Sequence, residues 1–157
     1  MRPLAFLSIV VAALGLVACA EQKRAFGKAD VDAINNLVQG FVAGYNAKDA
    51  DKVAALFSGG AVLMPPNAST VRGTQAVRDY FTNRFGQGAT DLRIDAKDIS
   101  GADPIAYVNG EYSLRLAPAG GPERRDRGKF LWIVRNFNGK WLLEYLIFSS
   151  DFPPATA

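Results

Sequence analysis

Two periods of apolar residues divide the chain: up to Phe85 they recur at helical spacing, and from Thr90 onward they alternate. Val31, Ile34, Leu37, Val38, Phe41, Val42 and Tyr45 share one stripe, predicting an amphipathic helix over residues 30–45 with Asp30 as its cap. Residues 46–49 break the stripe, and Asp49 opens a short helix to Phe57 that buries Val53, Leu56 and Phe57. Gly59 and Gly60 turn the chain into a strand over 61–64. Pro65 and Pro66 stop that strand, because proline offers no N–H to a ladder, and residues 67–71 read as a loop. A third helix over 74–85 mixes Val77, Tyr80, Phe81, Arg84 and Phe85, with Gly86 and Gly88 closing it.

The second half reads as strands over 91–95, 106–116, 126–137 and 140–150. Asn138-Gly139 between the last two is a strong hairpin signal, and residues 118–122 form a looser turn. Helices followed by antiparallel strands make an α+β domain with segregated elements. The domain spans residues 30–153, and the charged stretch 21–29 is a tether.

Composition mainly removes possibilities. The chain has 18 basic and 15 acidic side chains, and a balance of +3 is too small to imply nucleic acid. Arg124, Arg125, Arg127 and Lys129 cluster, but Glu123 and Asp126 interrupt them, so they read as a solvated hairpin. Histidine is absent, which removes Ser-His and Cys-His nucleophile pairs and the usual zinc and iron ligand sets. No metal and no cofactor are expected. Residues 1–20 combine Arg2, an apolar run over 4–17 and small residues, the pattern of an export signal too short to span a bilayer. Cys19 is the single cysteine, so an intrachain disulfide is impossible.

Leu16-Val17-Ala18-Cys19 resembles the lipobox of bacterial lipoproteins, which implies lipidation of Cys19. With Ala20 after the cysteine, the resemblance implies an outer-membrane lipoprotein facing the periplasm, touching the membrane only through its anchor. Ala18-Cys19-Ala20 also fits ordinary signal cleavage, which would release a soluble secreted or periplasmic protein. We favour the lipobox, because a lone cysteine at that offset is otherwise a coincidence.

The order helix, helix, short strand and loop in residues 39–73, QGFVAGYNAKDADKVAALFSGGAVLMPPNASTVRG, resembles the opening of the nuclear transport factor 2-like superfamily. The likeness is to its ketosteroid-isomerase-like and SnoaL-like branch, and it covers roughly residues 30–153. It implies a cone in which three N-terminal helices pack in a curved, mainly antiparallel sheet. It leaves function open, since enzymes, binding modules and assembly domains share this scaffold.

A sheet curved around helices leaves a hollow, and matching elements to ketosteroid isomerases assigns its lining to Phe41, Tyr45, Leu63, Pro65, Tyr80, Phe81, Tyr112, Trp132, Leu146 and Phe148. Such a lining suits a small hydrophobic or planar ligand. The isomerase's own groups are missing: its base falls on Pro65, its helix tyrosine on Phe41, and its buried aspartate near Trp132. Alternation puts Glu144 on the inner face, where desolvation would fit it for acid/base work beside Tyr112 or Tyr45; the alternative is a pair with Lys129, Arg127 or Arg135. Three functions follow. The foremost is an exported, lipid-anchored ligand-binding domain, homodimeric through its sheet. The others are an isomerase- or cyclase-type enzyme using Glu144, and an assembly module working through the outer face.

Overall fold

Helix α1 (Lys28–Asn46) starts two residues before Asp30 in the structure, a computed structural model describing residues 25–153. The export signal, Cys19 and residues 21–24 of the tether lie outside the described residues. Asp30 is not the cap itself. It sits in the first turn, where its carboxylate accepts from the Gly27 N–H at 3.0 Å and from the Trp141 indole at 3.2 Å. That second bond fastens the start of α1 to the last strand.

Helix α2 (Ala50–Ala54) is capped by Asp49, whose side chain accepts from the Lys52 N–H, but it ends before Phe57. Phe57 already belongs to strand β1 (Phe57–Met64), which is longer than its apolar tetrad because Gly59 and Gly60 continue it instead of turning it. The loop expected over 67–71 ends in a two-residue strand, β2 (Val71–Arg72), ahead of helix α3 (Thr74–Gly86). Then come β3 (Ala89–Ala102), β4 (Ile105–Leu116), β5 (Arg124–Phe137) and β6 (Lys140–Ser150). Asn138 and Gly139 both take positive φ at the last hairpin, as a tight two-residue turn requires.

The helices pack against one mixed sheet of order β2-β1-β6-β5-β4-β3. All pairs are antiparallel except β1 with β6. Helix α3 touches β1 and β2 at one end of that order and β3 at the other, so the sheet must curve round it. Asn46 locks the curve from inside, donating to the Leu92 carbonyl at 3.0 Å and accepting from the Leu92 N–H at 2.7 Å. This amide replaces a strand partner where the β3–β4 ladder is interrupted between Thr90 and Arg93. Ile34, Leu37, Val38 and Phe41 of α1 are buried in one core with Val108, Trp132, Val134 and Leu143 of the inner sheet face.

Candidate functional site

At one end of this core the side chains leave a hollow. Helix α1 contributes Phe41 and Tyr45 to its wall, and α3 contributes Tyr80, Phe81 and Arg84. The sheet adds Leu92 and Ile94 of β3, Tyr112 and Leu114 of β4, Phe130 and Trp132 of β5, and Leu146 and Phe148 of β6. The aromatic rings brace one another. Trp132 stands 5.1 Å from Phe41 and 5.2 Å from Phe130, centroid to centroid, and Phe148 meets Tyr112 edge-on at 5.7 Å.

Eight side chains assigned to the hollow from sequence therefore border it, and two do not. Leu63 is fully buried in the core, opposite Leu146 in the β1–β6 ladder. Pro65 lines a separate outer cleft with Pro66, Tyr80, Arg84 and Phe148. Leu114 and Phe130, which alternation puts on the same face as Tyr112 and Trp132, border it too, and the structure adds Arg84, Leu92 and Ile94. Alternation in residues 91–95 carried the signal for Leu92 and Ile94, and the spacing Tyr80, Arg84 carried it for the arginine.

Glu144 lies elsewhere. In the β5–β6 ladder Ile133 pairs with Tyr145 and Val134 with Leu143, so Glu144 is an extra residue in a bulge. The bulge reverses the alternation, leaving Leu143 and Leu146 buried while Glu144 and Tyr145 both face outward. There the Arg135 Nε donates to both Glu144 carboxylate oxygens, at 3.0 and 2.9 Å. Of the two readings of Glu144, the pair with Arg135 is the one formed, and the inward acid/base position is not taken.

The polar groups of the hollow gather at one end. Asp126 accepts from the Tyr112 hydroxyl at 3.3 Å and from the Ser150 hydroxyl at 2.5 Å. The Arg84 guanidinium stands 4.0 Å from Asp126. Tyr45 is 3% exposed, and its hydroxyl has no hydrogen-bond partner among the described residues. Burial pushes its pKa up to about 12, against the opposing pull of nearby Arg84, so at neutral pH it is a protonated donor. Burial likewise raises the Tyr80 and Tyr112 hydroxyls, and for Tyr112 the Asp126 charge adds to the shift. No carboxylate belongs to the described lining.

The free space is small, about 50 Å³. Ordinary ligand pockets run from about 300 Å³ upward. The outer cleft beside it holds about 340 Å³, and Tyr80, Arg84 and Phe148 border both spaces. These three side chains form the partition. All three are half-buried, whereas Trp132 behind them is 1% exposed.

The sequence profile of the SnoaL-like domain matches residues 38–143. Among solved structures, the chain is similar to a ketosteroid isomerase-like protein from Erwinia carotovora atroseptica SCRI1043, with a TM-score of 0.73 and 18% identity over 82% of this chain and 100% of that one. It is similar to a conserved protein from Planctomyces limnophilus DSM 3776, with a TM-score of 0.70 and 19% identity over 78% and 98% of the two chains. An NTF-2 like protein from Shewanella oneidensis MR-1 matches with a TM-score of 0.62 and 18% identity, over 76% of this chain and 98% of that one. These likenesses concern the fold alone. No curated protein matches the chain significantly. With two thirds of its length covered by the profile and its fold shared by these structures, the chain belongs to the SnoaL-like domain family.

Proposed function

We propose that the domain binds a small hydrophobic or planar molecule in the aromatic hollow and performs no isomerase chemistry there. The observation that carries this reading is the lining itself, with interlocked rings around Trp132 and no carboxylate among its side chains; Asp126 stands behind it, accepting from the Tyr112 hydroxyl. Proton abstraction beside a carbonyl needs a base within hydrogen-bond reach of the reacting atom. Pro65 stands outside the hollow, and Glu144 is held by Arg135 on the outer face. An apolar guest would gain about 25 cal/mol for each Å² of its surface removed from water. The 50 Å³ of free space means that Tyr80 and Phe148 must swing aside to admit it, joining hollow to cleft.

Toluene titrated into the purified chain tests this by NMR. The Trp132 indole resonance should shift saturably while that of Trp141, tied to Asp30 at 3.2 Å, stays in place. If neither indole responds, or both respond equally, the reading fails.

A second reading, self-association through the outer face, is favoured by one specific feature. Leu131 lies opposite Ile147, and Ile133 opposite Tyr145, across β5 and β6. Leu131, Tyr145 and Ile147 are each more than a third exposed, and the pairs Arg135–Glu144 and Lys129–Asp151 flank them. An apolar centre between charged pairs suits a homodimer, which leaves the hollow free for its ligand. The domain is further proposed to be exported and lipid-anchored at Cys19 in the bacterial envelope. Mass spectrometry of the native N-terminus decides this last point: an acylated Cys19 supports it, and an unmodified thiol or a chain starting at Glu21 removes it.

A further inference from the structure

The polar end of the hollow is unbalanced in a way that names a class of guest. Its carboxylate has donors within the fold, since each Asp126 oxygen takes a hydrogen bond, one from Tyr112 and one from Ser150. Two of its donors are not so matched. The Arg84 side chain stands beside the Tyr45 hydroxyl, whose own proton meets no acceptor, and Arg84 approaches Asp126 only to 4.0 Å, beyond hydrogen-bond reach. A buried hydroxyl whose proton meets no acceptor is unusual enough to call for an explanation. Two donors of this kind at the end of an apolar cavity fit an oxygen acceptor supplied from outside.

Resting on the binding function above, we propose that the hollow takes a hydrophobic carboxylic acid, its ring against Phe130, Trp132 and Leu146 and its carboxylate between the Arg84 guanidinium and the Tyr45 hydroxyl. The charge of Arg84 favours an anion over a neutral oxygen. Asp126, already holding two hydroxyl donors, is a weakened competitor for that guanidinium. Arg84 also borders the outer cleft, so an arriving carboxylate meets it first and keeps part of its hydration while the ring passes Tyr80 and Phe148.

The test compares benzoate, acetophenone and toluene by NMR titration at the Trp132 indole, in the wild-type chain and in Tyr45→Phe and Arg84→Met. In the wild type, benzoate should bind about tenfold more tightly than toluene, with acetophenone between them. Each substitution should cut the benzoate advantage by about fivefold while toluene affinity stays within about twofold. Tyr45→Phe removes one oxygen from a packed ring and keeps the fold, so the comparison stands even if Arg84→Met does not fold. Toluene binding without a benzoate preference, acetophenone equal to benzoate, or a preference that survives Tyr45→Phe overturns the acid and leaves the pocket intact. Silence with all three probes overturns both.

Discussion

Tyr45 sits on the one buried hydroxyl among the described residues that lacks a partner. It stacks with Phe41 at 6.3 Å and meets Phe85 edge-on at 5.1 Å, so its ring is well packed and only the oxygen is unsatisfied. Tyr45→Phe in the ligand-free chain should therefore stabilise it, by about 1 kcal/mol in urea unfolding. A loss of stability would mean that the hydroxyl is bonded after all. The sign of the pH effect follows from the raised pKa. A tyrosine whose ionisation moves from 10.0 when unfolded to about 12 when folded contributes stability that is complete below pH 10 and is lost as pH rises toward 12. The gap between Tyr45→Phe and wild type should widen above pH 10; a constant gap would contradict the burial. Glu144 makes the opposite case. Its pair with Arg135 is partly exposed, with side-chain exposures of 22% and 33%, so Glu144→Gln should cost under about 1 kcal/mol and leave probe binding unchanged. Loss of probe binding in that variant would return Glu144 to the hollow.

Strand alternation identified the inner face on β4, on β5 and at Leu146 and Phe148 of β6, and failed at Glu144, because a single bulge there shifts the parity of the strand before Leu146. No local residue announces that bulge; it arises where β6 must serve β5 antiparallel on one side and β1 parallel on the other. Parallel pairing with Leu143 starts β1 at Phe57, and Gly59 and Gly60 lie in the interrupted stretch of that ladder before it resumes at Val62. Turn chemistry and helix stripes were legible, as at Asn138-Gly139 and along Ile34, Phe41 and Tyr45, since those patterns are fixed by near neighbours. The length of β3 was not, because its outer half alternates weakly and is held by pairing with β4. Gly128 shows how tightly the curved strands approach. A Cβ there would fall 1.8 Å from the Ser149 carbonyl oxygen and 3.0 Å from the Tyr112 ring. Gly128→Ala should cost about 2 kcal/mol and weaken probe binding through Tyr112, as read by thermal unfolding and titration together. An unperturbed variant would show that β5 and β6 have room to separate.

At the scale of the whole molecule, one sheet presents two unlike faces, a sealed aromatic face inside and an apolar strip between ion pairs outside. The outer strip, centred on Leu131 and Ile147, should hold two copies together. Leu131→Asp should convert a dimer into a monomer in sedimentation velocity with its melting curve otherwise cooperative; a wild-type chain that is already monomeric would remove the dimer. The inner face carries the central claim, that the space around Trp132 opens to accept a ring. Crystals of the chain exposed to bromobenzene test it most directly, because the bromine's anomalous signal locates the guest without assumption. The account requires a peak among Phe130, Trp132 and Leu146 with Tyr80 or Phe148 rotated away from its present position. A peak confined to the strip over Leu131 and Ile147, or a hollow unchanged at saturation, would contradict it.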